Sequence, residues 1–198
     1  CGYSYIDNET EALPITITWK NYDGTILEID ENVPYGSIPS YDGELPTKES
    51  TPLYSYTFSG WTPEIEKAIV NAEYYATYSS NAINYSISYD LDGGEGSNPT
   101  SYSIETGNIT LSEPTKNGYE FIGWTGSNGT VPQKDIVIDC KSASDYSFTA
   151  NWELLTYTIT YHLFEGENNI KNPETYTIED TITLNPAKKI FIILKAGI

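Results

Sequence analysis

An internal repeat with a period of about 70 residues limits the folds open to this chain. The same alternating strand begins three times, and its central isoleucine recurs at Ile17, Ile87 and Ile159, which are 70 and 72 residues apart. Each opening strand runs into a polar turn that contains Asp-Gly or Glu-Gly, where glycine accepts the positive φ angle of a tight hairpin. A period of this length predicts small modules in tandem.

The sharpest match between copies is an aromatic-x-Phe-x-Gly-Trp segment that follows a Pro-Thr-Lys segment. Its residues are Phe58, Gly60 and Trp61 in the first copy and Gly118, Tyr119, Phe121, Gly123 and Trp124 in the second. A period of two places the aromatic residue and the Phe on one face of a strand, and the Gly permits a bend or a close backbone approach before the Trp. We therefore expect the tryptophans to lie in the core of each module.

These matches divide the chain into four parts. They are a lead-in segment at 1–14, a first repeat at 15–80, a second repeat at 83–153 and a truncated third repeat at 156–198. Helical periodicity is limited to residues 63–70, where Thr62 as N-cap and Pro63 at the first helical position favour a helix of about two turns. The predicted fold class is mainly β, or α+β at most, with little helix.

The charge balance excludes one class of partner. The chain has 28 acidic residues against 10 lysines and carries no arginine, which gives a net charge of −18. Nucleic-acid binding depends on clustered Lys and Arg, so no nucleic-acid partner is predicted. The longest apolar run has five residues, at 190–194, so no membrane insertion is predicted either.

The titratable residues do not predict catalysis or a cofactor. His162 is the only histidine, and Cys1 and Cys140 are the only cysteines, so neither a zinc site nor a Ser-His-Asp triad can be assembled. Asp90 and Asp92 alternate in a glycine turn and are weak candidates for calcium ligands, with a plain hairpin turn as the preferred interpretation. We predict that the chain is not an enzyme.

Tyrosine is the residue type best suited to recognition in this sequence. Six tyrosines lie in predicted turns or on predicted outer faces: Tyr22, Tyr35, Tyr41, Tyr54, Tyr75 and Tyr102. Tyrosine suits contacts with sugars and proteins because it is amphipathic and loses little entropy on binding. The alternative, which we favour, is that these rings stabilise the sheets by cross-strand pairing.

The order of opening strand, Asp-Gly turn, Pro-Thr-Lys, aromatic-x-Phe-x-Gly-Trp and closing strand resembles the internalin B-repeat family, also called the Listeria-Bacteroides repeat. The resemblance covers residues 15–153 fully and 156–189 in part. The first copy departs from it, since Ser55 stands at the position of Gly118 and a segment at 35–39 adds length. The resemblance implies tandem, small β-grasp-like (ubiquitin-like) modules of a bacterial cell-surface protein, with an extracellular stalk or adhesive role and no catalysis.

Three functions follow as hypotheses. The first is a non-catalytic spacer or adhesive stalk whose partners are the neighbouring repeats of the same chain. The second is a direct binding module for a host protein or glycan through exposed tyrosines and acidic loops, and the third is an accessory region of a secreted enzyme. Anchoring to the cell wall or to lipid is expected through regions outside this chain, with lipid modification of Cys1 as the weaker alternative.

The last residues break the pattern. After Lys189 the second copy predicts Gly-Tyr-x-Phe-x-Gly-Trp, but the chain continues with an apolar segment at 190–198. Back-translated and read two nucleotides later, that segment permits Tyr-x-Phe-x-Gly-Trp, so we hypothesise a frame-shifted version of the motif, which the encoding DNA would test. A third repeat without its Phe, Trp and closing strand is expected to be the least stable part of the chain.

Overall fold

The computed structural model describes residues 14–189 and forms two compact units. The first holds residues 14–84 together with 103–105, and the second holds 85–102 and 106–189. Cys1 and the segment at 190–198, on which the lipidation and frame-shift hypotheses depend, lie outside the described residues. Residues 14–189 contain fifteen strands and no helix, which confirms the mainly β class.

The first unit is a four-stranded sheet with strand order β2-β1-β4-β3. Its strands are β1 (Ile15–Lys20), β2 (Ile26–Val33), β3 (Tyr54–Thr62) and β4 (Ala72–Ala82). The Asp-Gly turn joins β1 to β2 as a hairpin, in which Asn21 N donates to Thr25 O and Gly24 adopts a φ of 87°. The central pair β1 and β4 is parallel, and β3 lies antiparallel to β4.

The second unit repeats this plan with one more strand. Its five-stranded sheet has the order β6-β5-β11-β8-β9, with β5 and β11 as the parallel central pair. Its strands are β5 (Tyr85–Asp90), β6 (Ser101–Tyr102), β8 (Tyr119–Gly126), β9 (Gly129–Gln133) and β11 (Tyr146–Leu154), and a separate pair is formed by β7 (Ile109–Thr110) and β10 (Val137–Ile138). The opening strand, its partner, the motif strand and the closing strand therefore occupy equivalent places in both repeats.

The third repeat also begins with a strand that pairs with a later one, but it forms only two-residue strand pairs. Strand β12 (Tyr157–Thr158) pairs with β14 (Thr175–Tyr176), and β13 (Gly166–Glu167) pairs with β15 (Lys188–Lys189). Large apolar side chains on this segment remain exposed, among them Phe164 and Ile170, the latter 99% exposed. The segment therefore has little core of its own within the described residues.

Each repeat has its own hydrophobic core, set by the alternation of its strands. On β1 the side chains of Ile15, Ile17 and Trp19 are buried while the residues between them are only half-buried. In the second repeat the buried set is Ile87, Tyr102, Ile109, Leu111, Phe121, Trp124, Ile136, Ile138, Phe148 and Ala150. The short pair β7 and β10 supplies Ile109 and Ile138, and the adjoining Leu111 and Ile136 complete this side of the core.

The helix expected at residues 63–70 is absent, and that prediction is wrong. Ala68 in this segment is buried, and its backbone N–H donates to Ser37 O at 2.8 Å while its carbonyl accepts from Gly36 N at 2.7 Å. These long-range hydrogen bonds use the backbone groups that a helix would pair within four residues. The tertiary contact with residues 36–37 therefore overrides the local helix signal.

Candidate functional site

Both complete repeats place the Gly of the Phe-x-Gly-Trp segment at the same β-bulge. Phe58 pairs with Tyr78, and Phe121 pairs with Trp152, and in each motif strand one residue is then skipped before the ladder resumes at the glycine. Gly60 has a φ of 141° and Gly123 a φ of 137°. Side chains other than glycine rarely adopt this conformation, so the bulge requires glycine in both repeats.

The surroundings of these two glycines differ. A Cβ placed on Gly123 would lie 2.4 Å from the backbone N of Gln133, on the neighbouring strand β9. A Cβ placed on Gly60 would lie 3.8 Å from its nearest neighbour, the Thr77 hydroxyl. Gly123 therefore permits both the positive φ and the close approach of β9, whereas Gly60 permits only the φ.

The tryptophan after this glycine has a different degree of burial in the two repeats. Trp124 is fully buried, with its ring 5.2 Å from Phe121 and 6.4 Å from Phe148. Trp61 is only half-buried and packs at 4.7 Å against Trp19, which is the fully buried tryptophan of the first repeat. The motif comparison did not identify Trp19 as the centre of the first core, although its position on the alternating face of β1 gave that signal.

An aromatic residue on the closing strand connects the motif to the first turn. In the first repeat Tyr78 packs 6.1 Å from Phe58 and donates its hydroxyl proton to Asn21 Oδ1 at 2.6 Å. In the second repeat Trp152 packs 5.5 Å from Phe121 and donates from Nε1 to Leu91 O at 3.1 Å. Two different side chains thus connect the closing strand and the motif Phe to the turn that follows the opening strand.

The lysine of the Pro-Thr-Lys segment stacks on the first aromatic residue of the motif. Lys48 Nζ lies 4.1 Å from the ring centre of Tyr56, and Lys116 Nζ lies 4.4 Å from that of Tyr119. Cation–π contacts of this kind contribute about 0.5–2 kcal/mol. The same contact forms in both repeats, although Lys48 precedes its tyrosine by eight residues and Lys116 by three.

The same lysine occupies the place where the sequence allowed a calcium ion. Lys116 Nζ donates to Asp92 O at 2.6 Å and lies 3.4 Å from Asp92 Oδ2. Asp90 Oδ1 accepts the backbone N–H of Asp92 at 3.0 Å, the geometry of an Asx turn. The cation beside this turn is therefore the ammonium group of Lys116, and residues 14–189 contain no cluster of three or more His, Cys, Asp or Glu that could hold a metal.

We predict that Lys116→Gln lowers the free energy of unfolding of the second repeat by about 1–2 kcal/mol, since it removes a charged hydrogen bond and a cation–π contact. Lys134→Gln is the matched control, because Lys134 is exposed and lies 3.7 Å from Glu120. Exposed ion pairs contribute about 0–1 kcal/mol. Urea unfolding, monitored through amide exchange in β11, would test this prediction. Equal losses of unfolding free energy in the two variants would contradict it.

The first repeat leaves part of its aromatic cluster open. A cavity of about 510 Å³ is lined by Tyr41, Phe58 and Trp61 together with apolar residues of the 38–46 loop and Ile65. Leu45, at its rim, is 72% exposed. In the second repeat the residues at the positions of Phe58 and Trp61 are buried, so this opening is a property of the first repeat.

Two acidic residues of β2 hold parts of this region, Glu28 the loop and Asp30 the Trp19 side chain. Glu28 Oε2 accepts the backbone N–H groups of Gly43 at 3.0 Å and Asp42 at 3.3 Å, and Asp30 Oδ2 accepts from Trp19 Nε1 at 2.8 Å. The pKa of Glu28 is raised to about 7. Burial is the largest cause, and the side chains of Asp42 and Asp30 come next. Burial and the nearby Glu28 also raise the pKa of Tyr41.

The raised pKa of Glu28 predicts a pH dependence of the first unit. Between its ordinary value of 4.5 and about 7, the folded state binds the Glu28 proton more tightly than the unfolded state does. Stability therefore falls as the pH rises through this range. Thermal unfolding at pH 4.5 to 8 should show this decline in the parent chain and lose it in Glu28→Gln. Glu31→Gln, an exposed change on the same strand, controls for the lost charge, and an unchanged profile in Glu28→Gln would contradict the assignment.

The six candidate tyrosines do not share one environment. Tyr22 and Tyr35 are exposed, whereas Tyr41, Tyr54 and Tyr75 are half-buried. Tyr102 is fully buried, so its prediction as an exposed contact residue is wrong. Its hydroxyl lies 2.6 Å from Ser142 O and 2.7 Å from Ser144 O, and these carbonyls supply the acceptors that allow the ring to enter the core.

His162 and Cys140 lie outside the motif, whereas Gly118 and Tyr119 begin it in the second repeat. His162 is exposed, and Cys140 is a free, half-buried thiol whose backbone N–H donates to Asn108 Oδ1 at 3.1 Å. Gly118 is buried, and Tyr119 beside it is half-buried. In each repeat the motif Phe and Trp rings pack together, at 5.4 Å for Phe58 and Trp61 and 5.2 Å for Phe121 and Trp124.

The second repeat has a counterpart among known families. The model of the Listeria-Bacteroides repeat domain matches residues 85–151. The second repeat belongs to that family. The matched Listeria-Bacteroides repeat runs from the opening strand β5 into the closing strand β11, so it includes the bulge, the motif and the stacked lysine. The suspected resemblance is thereby confirmed for about a third of the chain.

The Listeria-Bacteroides repeat family is associated with bacterial surface proteins, which supports an extracellular location for this repeat. No solved structure matches the chain. In the described part, residues 14–189, no helix has the length and apolar character needed to cross a membrane.

Proposed function

We propose that the chain is a non-catalytic tandem repeat region of a bacterial surface protein and serves as a spacer or adhesive stalk. The observation that carries the proposal is that the same set of structural contacts occurs in both complete repeats. In both complete repeats the same bulge, stacked lysine and closing-strand aromatic connect the motif to its turn. Residues that distinguish the motif are thus used to hold each module together, as a spacer requires.

We further propose that each repeat is β-grasp-like. A parallel central pair with an antiparallel partner on each side, β2-β1-β4-β3 in the first unit, supports this assignment. The second unit has the same order in β6-β5-β11-β8. Small modules of this kind add length by repetition, because each has its own core.

The expected partners follow from the same proposal. The net charge of −18 favours solubility and opposes nonspecific association, and a nucleic-acid partner or membrane insertion is not expected. The neighbouring repeats of the chain are the first partners of each module. We place the protein outside the cell, attached to the wall or to lipid through regions not in this chain or through Cys1.

The spacer role can be tested by displaying the full chain on a bacterial surface with an epitope at its outer end. We expect antibody access to that epitope to match the access achieved with an unrelated folded spacer of equal length. The purified chain is expected to bind neither a glycan array nor immobilised host surface proteins. Saturable binding to either would contradict a pure spacer.

The open aromatic cavity of the first repeat favours one second candidate, a binding module for a host protein or glycan. Aromatic rings such as Tyr41 and Trp61 stack on sugar rings and apolar side chains, and the acidic loop at 42–44 supplies hydrogen-bond acceptors. If a ligand is found, Leu45→Ala should weaken binding because Leu45 lies at the rim. Ile69→Ala, on another exposed part of the same unit, should not, and equal affinities would place the ligand elsewhere.

A further inference from the structure

The third repeat lies directly on the turn that precedes the second motif strand. Gly118 is buried beneath Ile178, and a Cβ placed on Gly118 would lie 2.5 Å from Ile178 Cγ2. Gly118 also has a φ of 78°, so its turn requires glycine for its own conformation. The absence of a side chain at this position therefore gives space to a residue 60 positions further along the chain.

A polar contact lies beside this apolar one. The hydroxyl of Tyr119 donates to the Glu179 carboxylate, and this hydrogen bond is the main cause of the raised pKa of Tyr119. On the backbone, Leu155 N donates to Gly118 O at 2.9 Å, which ties the start of the linker to the same turn. The turn is thus contacted by three separate groups of the segment that follows the second repeat.

We propose that the turn at Gly118 and Tyr119 is a docking surface for the following repeat, which is held there in one orientation by its Ile178 and Glu179. The contacts are of two kinds, an isoleucine over a glycine and a hydroxyl to a carboxylate. Together they restrict both sliding and rotation of the third repeat on the second. The residues that dock belong to a Tyr-x-Ile-Glu segment beginning at Tyr176 in β14.

The segment that carries Ile178 and Glu179 has a sequence counterpart in the second repeat. Tyr102-Ser-Ile104-Glu105 in the second repeat corresponds to Tyr176-Thr-Ile178-Glu179 in the third, and each begins in the strand that pairs with the opening strand. The inference deepens the proposed spacer role, on which it rests, because a stalk transmits its length only if consecutive modules keep a fixed orientation. A chain of flexibly linked modules would be shorter on average for the same number of residues.

The test is a distance measurement in the full chain. Nitroxide labels are placed at exposed Thr149 in the second repeat and exposed Thr181 in the third, with both native cysteines replaced by serine. We expect one narrow distance distribution in the parent. The double variant Ile178→Ala/Glu179→Ala should broaden it about twofold or more, toward the distribution of a flexible linker.

A matched control variant shows whether the broadening is specific to the two docking residues. Ile170→Ala/Glu174→Ala makes the same two changes elsewhere in the segment, with Ile170 99% exposed against 44% for Ile178, and should leave the distribution narrow. Both altered docking residues lie outside the second repeat, so its thermal transition should remain unchanged. A broad distribution in the parent, or an unchanged one in Ile178→Ala/Glu179→Ala, would overturn the docking surface. Either result is separate from ligand binding by the chain, which tests the spacer role.

Discussion

Trp124→Ala is expected to unfold the second repeat, at a cost of roughly 3–5 kcal/mol. The ring of Trp124 is fully buried and contacts Phe121, Phe148 and Tyr89. Its removal leaves a large cavity at the centre of a core that belongs to about 70 residues. Small domains have little stability to spare, so a loss of this size should leave the repeat largely unfolded.

Amide exchange of β11 and of β4 would report the second and the first repeat separately in one sample. We expect loss of protection in β11 and none in β4. Val131→Ala is the control, since Val131 is 69% exposed in the same unit and its loss should change stability by less than about 0.5 kcal/mol. If the second repeat keeps its thermal transition in Trp124→Ala, Trp124 is not a core residue.

The variant Trp124→Phe distinguishes the contribution of the aromatic ring to stability from that of the indole N–H group. Within the described residues, Trp124 Nε1 is buried without a hydrogen-bond partner. Phenylalanine retains most of the ring and removes this unpaired donor, so it should cost less than alanine.

The second large effect is expected at the bulge, where Gly123→Ala should destabilise its repeat more than Gly60→Ala does. Both changes force a residue with a side chain into a φ near 140°, which costs roughly 1–3 kcal/mol. The Cβ at 123 would in addition meet the backbone of Gln133 and Pro132, within 2.8 Å. Overpacking against backbone adds roughly 1–3 kcal/mol, because β9 must move.

The two glycines serve as controls for one another, since they occupy the same motif position with the same conformation. Chemical unfolding with separate amide probes in each repeat gives the two losses of stability. We expect β9 to lose protection first in Gly123→Ala, ahead of the rest of its sheet. Equal losses in the two variants would show that only the φ angle matters and that the approach of β9 contributes nothing.

Local features of the fold could be predicted from the sequence with good accuracy. The alternation of Ile15, Ile17 and Trp19 predicts the buried face of β1, because side chains on a strand alternate between two faces. The Asp-Gly turn predicts the first hairpin, and the Gly before the Trp predicts a bend at the bulge. Each prediction depends on residues that are close together in sequence.

Features set by distant contacts could not be predicted in this way. The segment at 63–70 has a helical pattern, but Ala68 is hydrogen-bonded to residues 36–37. The sequence around Tyr102 is polar and predicts a surface position. Inside the fold, however, the carbonyl groups of Ser142 and Ser144 accept its hydroxyl proton. Asp92 was a candidate calcium ligand, and nothing in the sequence around it predicts that the ammonium group of Lys116 lies beside it.

The repeat itself, its period, its strands and its turns were determined by the amino-acid sequence alone, because backbone preferences and strand alternation act over a few residues. The tertiary structure decided which tryptophan is fully buried in each repeat, which repeat keeps an open aromatic cavity, and which glycine makes room for the next module. These outcomes depend on residues that are far apart in sequence and that the fold brings together, such as Gly118 and Ile178. The same motif, Phe-x-Gly-Trp, therefore closes the core of the second repeat and leaves that of the first partly open.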